Sequence, residues 1–305
     1  MSDIKLFKIN NKKVAELTGK SVALEKSLQT LMEKNLESLL GVQFLASEYF
    51  TGKVHGGRID TLGIDENKSP VIIEYKRATN ENVINQGLYY LDWLLDHKAE
   101  FELLVMNKMG KEISQEIEWS SPRLLCIAGD FTKYDAHATQ QMGRNIELIR
   151  YRHFDNDLLL LELVNAATNT GSLVFNPSDK GKKGTNKYTT VTESLSKASA
   201  GLCDVYEALK SFLMALGDDV QIKTLKYYFA FKRIKNFACV EVHTSSNKLA
   251  VYVKADMEKI RFEKGFTRDV TNIGHFGTGN LEITIASSED LKKAEQLLTV
   301  SYEMS

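Results

Sequence analysis

The chain has 305 residues, of which 43% are hydrophobic and 26% charged, the composition of an ordinary globular protein. Its 39 basic and 40 acidic side chains leave a net charge of −1, which excludes a histone-like polycation or an acidic tail but leaves room for a local nucleic-acid-binding patch. The length predicts two domains, at about 100–200 residues each. Cys126, Cys203 and Cys239 lie far apart and form no CxxC, so neither a disulfide framework nor a cysteine-rich zinc site is expected, and a reducing compartment is. No apolar run approaches the roughly 18 residues of a membrane span, and residues 1–10 lack the apolar stretch of a signal peptide. A cytoplasmic protein with no membrane partner is expected.

Residues 21–40, SVALEKSLQTLMEKNLESLL, set Leu24, Leu28, Leu31, Leu36, Leu39 and Leu40 near one stripe, which predicts a single helix ended by Gly41. Strands are expected at 43–50, 57–65 and 70–77. The following stretch to residue 110 reads as helical, one helix or two, with Thr79 or Asn80 as its cap. The run RLLCIA after Pro122 is short and continuously apolar, as in a strand covered on both faces. A polar helix near 132–142 and strands near 145–153 and 157–164 complete a mixed α/β unit. Residues 166–190 are poor in apolar side chains and rich in Gly, Asn, Thr and Lys, so they have little surface to bury. They are read as a flexible linker between domains at 1–165 and 191–305. The second, smaller domain reads as α+β. An amphipathic helix, CDVYEALKSFLMALG, precedes the strand candidates LKYYFAFKRI, FACVEVHTS, KLAVYVKAD and LEITIA. Ser287 or Ser288 caps the closing helix.

One segment, GRIDTLGIDENKSPVIIEYKR, carries candidate chemistry. Glu74 and Lys76 are two apart on a strand and share a face. A turn centred on Asn67 sets an antiparallel register in which Asp60 falls opposite Glu74. Opposed carboxylates repel across strands, and burial makes that worse. Asp60 follows Ile59 and Glu74 follows Val71, Ile72 and Ile73, so both acids sit in interior-looking strands. A hard divalent cation between them would relieve the repulsion while binding a substrate phosphate. Lys76 would then orient or deprotonate an attacking water. The alternative is that both acids are exposed and Lys76 merely pairs with Glu74.

The order of these residues resembles the PD-(D/E)xK nuclease superfamily, in its NucS-like and RecB-like branch. Asp60, Glu74 and Lys76 match the D…ExK core, Glu37 in KNLESLLG matches the acid of the first helix, and Gln86 with Tyr90 matches the QxxxY helix. The family's usual Pro before the Asp is replaced by Ile59. The resemblance covers residues 20–155 and implies a restriction-endonuclease-like core, a mixed sheet flanked by helices. It implies a metal-dependent nuclease that hydrolyses phosphodiester bonds, of DNA in the first instance, in DNA processing or defence. Asp60, Glu74 and the Tyr75 backbone carbonyl would hold Mg²⁺ or Mn²⁺, with Lys76 assisting the water and Glu37 binding a second ion or positioning the nucleophile. Gln86 would orient the Lys76 region or touch a phosphate, with a helix–sheet contact as the alternative role for Gln86 and Tyr90. Arg58, Arg77 and Tyr90 are candidate nucleic-acid contacts, salt bridges being the alternative for the two arginines. The family leaves a homodimer open.

The remaining candidates have plainer readings. His55 is read as an incidental loop residue, and Tyr89 with Trp93 as core. In the second domain NIGHFGTGN is a tight loop before a strand, with ligand contact as the alternative. Lys223, Lys226, Lys232, Arg233 and Lys235 interleave with Tyr227, Tyr228 and Phe229, a pattern of nucleic-acid surfaces and also of strand alternation. The rival to a nuclease is a catalytically idle nuclease-like module that binds nucleic acid or a partner.

Overall fold

The computed structural model describes residues 4–20, 25–76, 83–155, 157–167 and 189–305. These divide into two compact units, residues 1–172 and 173–305. The expected caps at Thr79 and Asn80, residue Arg77, and nearly all of the linker expected at 166–190 lie outside the described residues.

The first unit opens with a hairpin that the sequence reading missed, β1 (Leu6–Asn10) and β2 (Lys13–Leu17), turning through Asn11 and Lys12 at positive φ. β3 (Gly19–Lys20) follows. Helices α1 (Glu25–Lys34) and α2 (Leu36–Leu40) stand where one helix was expected. The break is at Asn35, whose side-chain amide donates to the Leu31 carbonyl at 2.9 Å and competes with the backbone pattern there. Leu28, Leu36 and Leu40 are buried, but Leu31 is exposed. Gly41 ends α2 in the left-handed region, as expected.

The strands β4 (Val42–Phe50), β5 (Arg58–Asp65), β6 (Pro70–Lys76), β7 (Arg123–Ala128), β8 (Asn145–Phe154) and β9 (Leu158–Ala167) join β3 in a seven-stranded mixed sheet. Its order is β3-β8-β7-β6-β5-β4, with β9 also pairing β8. β6, β7 and β8 run parallel and the other pairs antiparallel. β7 is buried at every residue, which is what its unbroken apolar run requires. The helices are α3 (Gly52–His55), α4 (Val83–Asp96), α5 (Lys98–Met109), α6 (Lys111–Gln115) and α7 (Lys133–Gln141). α4 covers one face of the sheet, burying Leu91 and Leu94 with Leu62, Ile64, Ile72, Leu124 and Cys126. Gly87 lets it approach closely, since a Cβ there would lie 2.4 Å from a Leu124 methyl. Thr61 alternates onto the other face and bonds Glu33, so α1 lies on that side.

The second unit is an antiparallel six-stranded sheet of β10 (Gln221–Thr224), β11 (Phe229–Lys232), β12 (Asn236–His243), β13 (Lys248–Val253), β14 (Thr267–Asp269) and β15 (Leu281–Ile285). Helices α8 (Val191–Ser196), α9 (Ala200–Met214) and α10 (Ser288–Glu303) share one core with the sheet. Ser287 caps α10 in a capping box with Asp290. α9 stops before Gly217, the expected end, with its C-cap at Ala215. The short α8, β10 and β14 were not foreseen. Among the described residues no helix is long and apolar enough to cross a membrane, and no disulfide joins the cysteines.

Candidate active site

The β5–β6 turn is built by Asp65. Its Oδ1 accepts the N–H groups of Asn67 and Ser69 at 2.9 and 2.8 Å, while Lys68 takes positive φ. The turn sets the register that the sequence predicts, with Thr61 opposite Ile73 and Leu62 opposite Ile72. The ladder stops at Thr61 and Ile73. One step further the acid side chains take over from the backbone. The Asp60 N–H donates to Glu74 Oε1 at 3.1 Å, and the Tyr75 N–H donates to Asp60 Oδ2 at 2.9 Å. The strands fork here because flatly opposed carboxylates would repel, and each acid instead accepts a backbone N–H from the other strand.

The fork leaves Glu74 Oε2 buried with no hydrogen-bond partner among the described residues. Asp60 Oδ1 likewise receives no bond among them. Glu74 is 0% exposed. Burial, and then the charge of Asp60, push its carboxyl up to about 9. Burial pushes the half-buried Asp60 up to about 6, against the opposing pull of the Tyr75 N–H and Lys76. Lys76 Nζ lies 3.2 Å from Glu25 Oε1. Burial works against its charge, but Glu25, Asp60 and Glu74 outweigh that and hold the ammonium above its ordinary value. Lys76 is therefore held as a cation in the metal-free protein. Cys126 is the parallel neighbour of Glu74, and burial, then Glu74, raise its thiol well out of the reactive range.

α1 ties the Asp60 strand in place. Buried Gln29 donates through Nε2 to the Asp60 carbonyl at 2.7 Å, to Glu33 Oε1 at 2.9 Å and to Ser47 Oγ at 3.2 Å. Glu33 Oε1 also accepts from Thr61 Oγ1 at 2.7 Å. The sequence reading missed Glu25, Gln29 and Glu33, although their spacing of four puts them on one helical stripe. Glu37 would continue that stripe only on an unbroken helix. The break at Asn35 moves it onto α2, where it is exposed and makes no hydrogen bond or ion pair with Asp60, Glu74 or Lys76. The helix acid that meets the site is Glu25.

The expected partners on α4 are placed differently from one another. Gln86 Nε2 donates to the Tyr90 hydroxyl at 3.4 Å, which also accepts the Arg58 N–H at 3.1 Å. Tyr90 is buried against Gly57, where a Cβ would lie 2.6 Å from its ring. It positions the start of β5 and is not a surface contact to nucleic acid. Trp93 is core, whereas Tyr89 is exposed and donates to the His55 carbonyl at 2.9 Å. The Arg58 side chain is exposed and makes no ion pair with a described residue.

Among the described residues no group of three or more His, Cys, Asp or Glu side chains is arranged to hold a metal ion. The donors at the fork are Asp60 Oδ1, Glu74 Oε2 and one backbone carbonyl. A strand residue sends its N–H and C=O toward the same neighbour, so Tyr75, whose N–H meets Asp60, directs its carbonyl into the same gap. Two hard carboxylates and a carbonyl suit Mg²⁺ or Mn²⁺, which keep several waters, and do not suit zinc.

Among the described residues the second unit offers no comparable acid fork. Lys232 is buried and Arg233 pairs with Asp219 at 2.7 Å, so the five basic residues do not form one exposed stripe. Tyr228 and Phe229 are buried. The glycine-rich loop packs back onto the sheet. Phe276 N–H donates to Glu241 Oε1 at 3.0 Å, and Thr278 N–H to Cys239 Sγ at 3.3 Å. Gly277, at φ 85°, lies against Cys239.

Residues 191–305 match the family described as Domain of unknown function (DUF5655). An uncharacterized protein of Haemophilus influenzae is 29% identical over 301 residues, 97% of this chain and 98% of its own length. Two solved structures show similarity over 43% of this chain. One is a repair endonuclease from Pyrococcus abyssi, with 16% identity, TM-score 0.28 and 49% of its chain covered. The other is an EndoMS-dsDNA2 complex, with 18% identity, TM-score 0.25 and 47% of its chain covered. The similarity thus spans about half of each solved chain.

Proposed function

We propose that the chain is a divalent-metal-dependent nuclease of the restriction-endonuclease-like type, hydrolysing phosphodiester bonds of nucleic acid, DNA in the first instance. The observation that supports this best is the fork itself. Two acids on adjacent strands hold each other in place through backbone N–H groups, and Glu74 Oε2 stays buried with no hydrogen-bond partner among the described residues. A purely structural pair of acids would be expected to find a cationic side chain or more hydrogen bonds.

Asp60, Glu74 and the Tyr75 carbonyl would hold the ion. When bound, it supplies charge stabilisation at the phosphate in the transition state. Lys76, kept charged by its three acidic neighbours, orients the attacking water and meets charge on the phosphate oxygens. Glu25 anchors the Lys76 ammonium, and Gln29 fixes the Asp60 backbone. The burial of Glu74 keeps bulk water off one side of the pair.

The test is cleavage of single-stranded, double-stranded, flapped and RNA substrates with Mg²⁺ or Mn²⁺, comparing wild type with Asp60→Ala, Glu74→Ala and Lys76→Ala. Loss of cleavage by at least about 100-fold in each variant is expected. Cleavage that survives all three substitutions removes this site from the reaction. Binding without cleavage of any substrate makes the chain an idle nuclease-like binding module.

A further inference from the structure

The β4–β5 connection, residues 51–57, carries side chains whose exposure the fold does not explain. Val54, in α3, is 92% exposed, and Phe50, the last residue of β4, is 56% exposed. Single exposed apolar residues are ordinary. Here two occur within five positions, and exposed Lys53 and Arg58 flank them without an ion pair to a described residue.

The tip is nevertheless held firmly. Buried Thr51 and Gly57 are cross-linked by backbone and hydroxyl hydrogen bonds of 3.0 Å. Gly52 and Gly56 turn the chain at φ 79° and 62°. The Tyr89 hydroxyl grips the His55 carbonyl, and the Tyr90 hydroxyl grips the Arg58 N–H. A floppy loop would expose apolar groups by default. This one is braced on α4 and presents them.

Its position relates it to the acid fork. Phe50 is the cross-strand partner of Arg58, so the two side chains leave the same side of the ribbon. Arg58 stands two residues from Asp60, roughly 7 Å of strand. The geometry points to the β4–β5 tip as a nucleobase-engaging element: Phe50 and Val54 pack on an unstacked base next to the phosphate at the fork, while Lys53 and Arg58 hold the flanking phosphates. The favoured ligand is a strand with unpaired bases rather than a continuous duplex. This assignment rests on the nuclease reading.

The experiment uses the full chain in EDTA, with a fluorescent single-stranded oligonucleotide containing 2-aminopurine and a duplex of the same sequence closed by hairpins at both ends. Phe50→Ala is expected to weaken single-strand binding at least about fivefold, the lower end of what aromatic base stacking contributes, and Val54→Ala about twofold or more through lost apolar contact. They should leave the closed duplex within twofold and reduce the 2-aminopurine signal change. Arg58→Ala should lower the salt-dependence slope by about one. Unchanged single-strand affinity in Phe50→Ala and Val54→Ala, or an equal loss for both ligands, overturns the assignment even if wild type cleaves. Wild type that neither binds nor cleaves overturns the nuclease reading along with it.

Discussion

β5 carries an acid near each end, Asp65 buried and Asp60 half-buried, and the two ends treat their acids differently. At the turn end, Asp65 and Glu147 share the buried guanidinium of Arg123, with contacts of 3.0 Å to Asp65 and 2.8 Å to both Glu147 oxygens. Burial works against the charge on Arg123, but Glu147 and Asp65 more than offset it and hold it charged. At the other end the cation acting on Asp60 and Glu74 among the described residues is Lys76, and that ammonium contacts Glu25. Both arrangements place charge in the interior. In the first, bidentate geometry and backbone N–H groups satisfy the acids. In the second, a buried oxygen has no hydrogen-bond partner among the described residues and both carboxyls are pushed toward their neutral forms. The satisfied acids serve the fold, and the strained pair at the fork is what the proposed ion would relieve.

The sharpest way to break this contrast is to remove the cation at the satisfied end. Arg123→Met should cost about 3–5 kcal/mol, because two buried carboxylates lose their counter-charge. Urea unfolding measures it, and a loss below about 1 kcal/mol would contradict the structural role. Glu74→Gln should do the reverse. It abolishes cleavage yet raises the stability of the metal-free protein at pH 8, by about 1–2 kcal/mol, since a neutral amide need not take up a proton on folding as Glu74 must.

The pH dependence sharpens the same point. Between the ordinary glutamate value of 4.5 and about 9, folded Glu74 keeps a proton that the unfolded chain has released. The folded state binds more protons across this window, so the Glu74 contribution destabilises progressively as pH rises through it. Subtracting the Glu74→Gln stability curve from that of wild type should reveal this slope, and parallel curves would refute the raised value. A divalent ion competes with that proton. Mg²⁺ or Mn²⁺ should therefore raise the Tm of wild type more at pH 8 than at pH 6, with no shift in Asp60→Ala. The smallest contrast lies on the first helices. Glu37→Ala should leave stability within about 0.5 kcal/mol and cleavage within twofold, whereas Glu25→Ala should slow cleavage about tenfold by releasing Lys76.

Much of the candidate site is legible in the sequence because it depends on local geometry. A turn at Asn67 and a period of two are enough to bring Asp60 opposite Glu74 and to put Lys76 on the face of Glu74. The core strands are legible for the same reason, since RLLCIA has no polar position to offer solvent. The first-helix acid is not legible, because Glu25 and Glu37 fall on one series of four-residue steps and one break at Asn35 separates them. The burial of Tyr90 and Lys232 is not legible either, since an aromatic or basic residue in an amphipathic segment reads equally well as surface.

What the sequence determines by itself is that β5 pairs with β6, and in which register, and that Asp60 meets Glu74. Only the tertiary structure decides how those acids coexist. The parting of β5 from β6, the bracing of Asp60 by Gln29 and the seating of Lys76 on Glu25 join positions 14 to 51 residues apart in the chain. Repulsion between two carboxylates can be inferred from their register, but whether it is relieved by a cation, a proton or a fork depends on what packs around them.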